Sequence, residues 1–438
     1  MTSATQPAAA DGESGGITRQ RLISIIGGSA GNLVEWYDWF AYASFAIYFA
    51  PVFFPQGDAT AQLLSTAAIF AVGFIVRPIG AWVMGRYADE SGRKAGLTLS
   101  VGLMFAGSML LALAPTYAQA GLAGPAVLLL ARMMQGLSLG GEYGASATYL
   151  SEMAPRKNRG FWASFQYLTL IGGQLCAILV AVVLQGLLTE EQLTAWGWRI
   201  PFVIGALLAL GVYLLRRNLA ETQSFNNLAP DRERSTATKL WRDHGRESII
   251  VALLSAGGGL GAYTYTSYMQ KFLFNTADFP KATATYIVAG GLLWFTMMQP
   301  LFGALADRFG RKPMLLFSGI GGALVAVPLF TAMESVRSPW TAAALLLIPL
   351  TIQSGYSANN ALVKAELFPA HIRGLGVALP YAIGNALIAG TVELVALWLK
   401  SAGHERLFYF YVAFWLGMIA VAMALLPETR EMSLIEED

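Results

Sequence analysis

The sequence predicts an all-α membrane protein: twelve transmembrane helices in two pseudo-symmetric six-helix bundles. Three observations carry that prediction. First, 55% of the 438 residues are hydrophobic and only 13% are charged, about half the charge expected of a soluble globular chain. Second, apolar residues gather into twelve runs starting near residues 22, 64, 96, 125, 160, 199, 248, 284, 313, 340, 375 and 407. Each supplies the roughly 20 residues a helix needs to cross the hydrocarbon. Third, Gly85-Arg-Tyr-Ala-Asp-Glu-Ser-Gly-Arg-Lys94 recurs as Gly303-Ala-Leu-Ala-Asp-Arg-Phe-Gly-Arg-Lys312, and both copies lie between apolar runs.

The duplication reaches beyond that loop. Glu152-Met-Ala-Pro155, then Arg159-Gly160, returns as Glu366-Leu-Phe-Pro369, then Arg373-Gly374; Glu221-Thr222 after the sixth run returns as Glu428-Thr429 after the twelfth. Three signals in one order define a repeat of roughly 210 residues, the internal symmetry on which many transporter folds are built. The chain therefore divides into a tail 1–21, a first bundle 22–216, a linker 217–247, a second bundle 248–427 and a tail 428–438. Residues 1–21 are small and polar with no apolar stretch before a cleavage site, so they read as a disordered tail and not a signal peptide. The linker reads as a solvated connector or as a short amphipathic helix on the membrane surface.

Charge placement sets the orientation. Of the 29 Lys and Arg residues, 21 fall on the side of the duplicated loops, Lys364 among them. Six fall on the other side, namely Arg199, Lys271, Lys281, Arg337, Lys400 and Arg406, and Arg77 and Arg132 fall within spans. The positive-inside rule then places both termini in the cytoplasm. Basic residues spread over short loops form no concentrated patch, which argues against nucleic acid as a partner. One cysteine, Cys176, excludes an intrachain disulfide and reads as a packing residue. Three histidines, His244, His371 and His404, all in loops, give no metal site and no His-assisted nucleophile within a span. No cofactor and no enzymatic chemistry is expected.

Ionisable side chains within spans are costly to bury and so are functional candidates. Glu35 and Asp38 lie three apart on one helical face of the first span. Two adjacent carboxylates in a poorly hydrated place repel, which favours holding one proton between them. Asp38, with Glu35 as partner, is the leading proton site; the alternative is a carboxylate permanently paired with an arginine to orient helices. Arg77, about 18 Å from Asp89 at helical rise, lies near mid-membrane. Its planar fork suits an anionic substrate or a pairing with Asp38. Arg132 is a second anion contact. Glu142, about 15 Å further along the same helix, must pair elsewhere and is a third proton candidate.

Gly136, Gly140 and Gly144 repeat every four residues in that span and read as close-packing positions. Gln166 and Gln174 in the fifth span, Tyr143 in the fourth, Tyr265 and Tyr268 in the seventh and Asn385 in the eleventh are further substrate candidates. Taken singly, each reads first as an interhelical hydrogen-bond or anchoring residue. The second half is thus expected to be polar but nearly uncharged within the membrane. Glu35, Asp38, Glu142 and Glu393 against Arg77 and Arg132 leave about two surplus negative charges, so an incoming dianion would favour protonating a carboxylate. In the duplicated loops, Asp89, Arg93, Lys94, Asp307, Arg311 and Lys312 can cap or pair across helices. A substrate site would need no such duplication, so these six read as a latch.

At these residues the chain resembles the major facilitator superfamily, whose signature is this glycine, aspartate, glycine, arginine, lysine loop in each half. Gly31-Asn-Leu-Val-Glu-Trp-Tyr-Asp38, Gly73-Phe-Ile-Val-Arg-Pro-Ile-Gly80, Gln135-Gly-Leu-Ser-Leu-Gly-Gly-Glu-Tyr143 and Trp196-Gly-Trp-Arg-Ile-Pro-Phe202 are similar to its metabolite:proton symporter branch. Ser164-Phe-Gln-Tyr-Leu-Thr-Leu-Ile-Gly-Gly-Gln174 and Tyr268-Met-Gln-Lys-Phe272 are most similar to carriers of α-ketoglutarate within that branch. The resemblance implies a bacterial inner-membrane monomer, alternating access, and proton-coupled symport of a small dicarboxylate through a site between the bundles. Citrate, another organic acid or a zwitterionic osmolyte are the alternatives, and a non-transporting sensor is a more distant one.

Overall fold

The computed structural model describes residues 19–91, 93–217 and 236–435; the side chains of 19–31, 85–86, 88–97, 141–142, 144–146, 149–150, 152–153, 215–217 and 370–371 lie outside the description. The described residues are helical in twelve spans: α1 (Arg19–Phe53), α2 (Ala59–Met84), α3 (Arg93–Leu113), α4 (Ala123–Met153), α5 (Arg156–Leu187), α6 (Gly197–Leu214), α7 (Gly245–Asn275), α8 (Lys281–Phe309), α9 (Arg311–Ser335), α10 (Pro339–Glu366), α11 (Ile372–Ser401) and α12 (Glu405–Ala424). Among the described residues, nine of these are long and apolar enough to cross a bilayer by length and composition alone. The other three are α1, which carries Asp38, α3, and α4, which carries Arg132.

Burial sorts the spans into centre and rim. The most apolar window of α7 is 83% buried, whereas that of α6, α9 and α12 is 39% buried. Large apolar side chains cover the outside of the molecule, Trp82, Leu113, Leu324 and Trp340 among them. An exterior this apolar matches a lipid solvent, because contiguous apolar surface on that scale is not sustained in water. Cys176 is exposed on this exterior, so its expected packing role is corrected to an outward-facing position.

Small residues set the closest approaches in the first half. A β-carbon on Gly136 would overlap the Gly73 carbonyl oxygen, and one on Gly140 the Arg77 carbonyl oxygen, so α2 and α4 pack backbone against backbone. Gly144 has no described side-chain environment.

Three central helices depart from regular geometry. A one-residue break at Val76 separates the two parts of α2, immediately before Arg77-Pro78. In α7 and α11 the segments Thr264–Tyr268 and Asn385–Ala389 form single π-helical turns. Such turns concentrate at functional sites because they re-aim side chains and loosen the regular ladder.

The halves meet at both ends. On the face carrying residues 85–94 and 303–312, the motif face, Asp307 accepts hydrogen bonds from the backbone N–H groups of Gly160 (2.8 Å) and Phe161 (2.9 Å). These are first-turn donors of the helix Arg159–Ala163, where a carboxylate is stabilised by the helix dipole. On the opposite face, Asn275 donates to Thr60 at 3.0 Å and Gln185 to Thr285 at 2.9 Å. Gly390 of α11 presses on the Phe74 ring of α2 with no room for a β-carbon. The halves are therefore closed on each other at both ends.

Of the latch, the second copy is described. Arg311 lies 3.4 Å from Asp307 and 3.6 Å from Glu366, and Glu428 accepts the backbone N–H groups of Arg311 (2.9 Å) and Lys312 (3.0 Å). Lys312 donates to the Leu426 carbonyl at 2.5 Å. The side chains of Asp89, Arg93 and Lys94 lie outside the described residues. The linker is described from residue 236 on, where Ala237–Asp243 is a short helix with Leu240 buried.

Candidate functional site

Between the halves lies a small cavity of about 20 Å³ lined by Trp36, Tyr167, Gln174, Tyr263, Tyr381 and Asn385, with apolar neighbours. That volume holds about one water molecule. Gln174 donates to Ser267 Oγ across the halves at 3.2 Å, and Asn385 opens the π-turn of α11 and donates to the Tyr381 carbonyl at 2.9 Å.

Two guanidiniums lie behind this cavity, Arg77 one ring away from it and Arg132 beyond Arg77. Arg77 and Arg132 stack on the same indole, with Cζ atoms 4.0 Å and 3.7 Å from the Trp39 ring centre. Arg77 also lies 5.3 Å from the ring of Trp36, which lines the cavity. Both arginines are buried, at 3% and 0% exposure. Cation–π contact offsets part of the cost of burying each charge. It leaves part of each hydrogen-bonding fork unused: Nε and Nη2 of both side chains have no hydrogen-bond acceptor. An unfilled buried donor is expensive, and here four of them belong to two guanidiniums that share one ring.

Asp38 is buried behind this pair. Its Oδ2 accepts from Gln135 Nε2 at 2.6 Å and from the Ser108 hydroxyl, while its Oδ1 accepts no hydrogen bond and abuts Gly205 of α6. Gln135 in turn accepts from Arg132 Nη1 at 2.7 Å through Oε1. The amide thus connects the carboxylate to the guanidinium. This corrects two expectations: the side chains that hold Asp38 are Ser108 and Gln135 and not Glu35, and Asp38 forms no ion pair with Arg77. Trp36 and Phe40 face the cavity, so helical periodicity turns residue 38 away from it. Glu35 is buried at 4% exposure. The side chain of Glu142 lies outside the described residues.

Other candidates sort by where the helices turn them. Tyr143 stacks on Tyr381 across the halves, with ring centres 3.5 Å apart and planes 7° from parallel, and accepts from Asn360 Nδ2 at 3.1 Å. Gln166 is buried without lining the cavity; its carbonyl accepts from Asn32 at 3.4 Å. Tyr265 and Tyr268 do not reach the cavity either. Tyr265 stacks on Phe330 of α9 and Tyr268 meets Phe408 of α12 edge-on, because the π-turn they occupy rotates them into the second bundle.

The largest correction concerns charge. Lys271 and Lys364, read from sequence as loop residues on opposite faces, are 1% and 0% exposed within α7 and α10. Lys271 forms a 2.7 Å ion pair with Glu393 of α11. The second half is therefore not nearly uncharged, and Glu393 cannot be counted as surplus negative charge. Tyr263, which packs on Phe40 and Phe74 of the first half, is a lining residue that polarity alone did not separate from its tyrosine neighbours.

The comparisons with known proteins agree with this architecture. The Major Facilitator Superfamily profile matches residues 31–392. The alpha-ketoglutarate permease of Escherichia coli (strain K12) is 48% identical over 93% of this chain and 94% of its own length. The citrate-proton symporter of Klebsiella pneumoniae is 32% identical over 86% of this chain and 85% of its own. Among solved structures, the xylose transporter XylE from E. coli, in a partially occluded inward-open conformation, superimposes with a TM-score of 0.74 at 19% identity, covering 94% of this chain and 99% of that one. At that identity the likeness speaks for the fold alone. The duplicated loop, the two six-helix halves and the matched profile place the chain in one family: it belongs to the Major Facilitator Superfamily.

Proposed function

We propose that the chain is a proton-coupled symporter that imports a small dicarboxylate, 2-oxoglutarate, by alternating access. The observation that carries this reading is the pair of buried guanidiniums, Arg77 and Arg132, with unfilled Nε and Nη2 donors beside the central cavity. Guanidinium forks match carboxylates in bidentate geometry, and among the described residues no carboxylate forms an ion pair with either arginine. The 48% identity to a protein named for α-ketoglutarate transport supports the choice of substrate. The excess of Lys and Arg on the motif face supports a cytoplasmic location for that face and for both termini.

Coupling follows from the Asp38, Gln135, Arg132 sequence of contacts. With Lys271 neutralising Glu393, coupling cannot rest on a general excess of negative charge and must be local. A substrate carboxylate on Arg132 competes with Gln135 for the guanidinium and brings negative charge within one side chain of Asp38. Proton uptake by Asp38 then costs less, and substrate and proton travel together. The closed cavity is too small for a dicarboxylate, so loading and release both need the halves to part.

Uptake of labelled 2-oxoglutarate into proteoliposomes under an imposed inward proton gradient tests this. Accumulation should collapse with the gradient and be competed by unlabelled 2-oxoglutarate before citrate, and not by proline or betaine. No gradient-driven uptake of any carboxylate would sink the reading.

A further inference from the structure

Lys364 is the one buried cation of the second half that its own fold leaves unanswered among the described residues. It is 0% exposed, its Nζ has no hydrogen-bond partner, and among the described residues no carboxylate forms an ion pair with it. Its Nζ lies over two ring faces, 4.4 Å from the centre of Tyr381 and 5.7 Å from that of Tyr143. These are the two rings that stack across the halves. Tyr381 lines the central cavity, and Lys364 stands two residues before Glu366, at the motif-face end of α10. The order from cavity to motif face is thus the cavity, the tyrosine stack with the Asn360 bond to Tyr143, and then Lys364.

A buried ammonium with three unfilled donors is costly. Its place in the last turn of the helix Asn360–Glu366 lets the dipole of that turn offset a fraction of the cost. It provides no acceptor. When the motif face opens, the tyrosines that cover Lys364 separate, because they belong to different halves, and the ammonium is exposed in the passage leaving the cavity.

We infer that Lys364 forms a second carboxylate subsite, covered in the closed carrier and uncovered when the motif face opens, which takes the leaving dicarboxylate from the Arg77 and Arg132 region. This rests on the reading of the substrate as a carboxylate. The site is specific to one face, so its removal weakens binding from that side alone.

The test compares wild type, Lys364→Met and Lys364→Arg in proteoliposomes of known orientation, with labelled 2-oxoglutarate offered separately at each face. The expected result for Lys364→Met is a KM at the motif face raised about tenfold, the loss of one charge-assisted contact, with the KM at the opposite face within twofold of wild type. Lys364→Arg should restore the motif-face KM. The purified Lys364→Met protein should melt no lower than wild type, since an uncompensated charge has been removed. Equal KM changes at both faces, an unchanged motif-face KM, or a Lys364→Met protein that melts lower or fails to insert would each overturn the inference, the last by showing that the ammonium holds the closed fold together. If wild type carries no carboxylate at all, the functional reading falls and takes this inference with it; if wild type carries 2-oxoglutarate and only the face asymmetry is missing, this inference falls alone.

Discussion

Two sets of buried charges, one in each half, answer the same problem, a cation inside the membrane, in opposite ways. In the second half Lys271 meets Glu393 at 2.7 Å with both side chains almost wholly buried, so the charge is cancelled within the fold. In the first half Arg77 and Arg132 share the Trp39 ring and keep two nitrogens each without an acceptor. Burial costs both sets of groups, but the first set meets an opposite charge, with Glu393 Oε1 alone left over, whereas each arginine keeps two donors without an acceptor. The difference teaches how to separate scaffold from site: the satisfied pair is structural, and the unsatisfied pair is reserved for something that comes and goes.

The sharpest way to break that comparison is to remove one member of each set. Lys271→Met leaves Glu393 buried and unpaired, and we expect a loss of about 3–5 kcal/mol in stability, read as a fall in melting temperature of the purified protein. Adding Glu393→Leu should return most of it and leave uptake near wild type. A Lys271→Met protein of normal stability would remove the structural reading of the pair.

Next in size is the opposite signature. Arg77→Met and Arg132→Met should each lower the specificity constant for 2-oxoglutarate uptake by about 10- to 100-fold, the worth of one or two charge-assisted bonds. Their melting temperatures should stay level or rise. Arg77→Lys should recover only part of the uptake, since a point charge cannot reproduce the fork. Destabilisation of the arginine variants to the extent of Lys271→Met would show that both sets are scaffold.

Asp38→Asn probes the link between the two properties. Its amide keeps contact with Ser108 and Gln135 but cannot carry the proton, so accumulation driven by a pH gradient should vanish while exchange of labelled for unlabelled substrate persists. Accumulation against the gradient in this variant would remove Asp38 from coupling.

A further step down, Asp307→Asn weakens the cross-half cap on Gly160 and Phe161, a charge-to-helix interaction of about 0.3–1 kcal/mol. In a Cys176→Ser background, a cysteine placed at Asn360 should react a few-fold faster from the motif face. An unchanged rate would show that the latch is held by other contacts.

The fold was legible because two kinds of signal are redundant along the chain: apolar runs of span length, and a loop written twice. The site was legible only in part. Arg77, Arg132 and Asp38 stood out as single charges inside apolar runs, and they do sit together around Trp39 and Gln135. Lys271 and Lys364 did not stand out, because a span of about 20 residues ends before them, whereas α7 and α10 continue for 31 and 28 residues. Tyr265 and Tyr268 could not be told from Tyr263 by composition. Their separation depends on the π-turn Thr264–Tyr268, for which alternation and period give no mark. Ser108 carries no charge and no motif, so its bond to Asp38 had no sequence signal at all.

The smallest predicted effect belongs to an ion pair that, unlike Lys271 and Glu393, joins adjacent residues and lies in solvent. Arg242 bonds to Asp243 at 2.8 Å, exposed at the end of the short linker helix. The side-chain hydrogen bond from Arg242 holds the Asp243 carboxyl below the usual carboxylate range. A carboxyl lowered in this way adds stability above its unfolded pKa of about 4, and that stability is lost as pH falls through the lower folded value. Water and salt screen the pair almost completely. Asp243→Asn should therefore leave the melting temperature unchanged at pH 7 and at pH 5, and leave uptake unchanged as well. A measurable drop at pH 7 would mean that the linker helix docks on the bundle through this pair, and that exposure is not what separates it from the buried pair of α7 and α11.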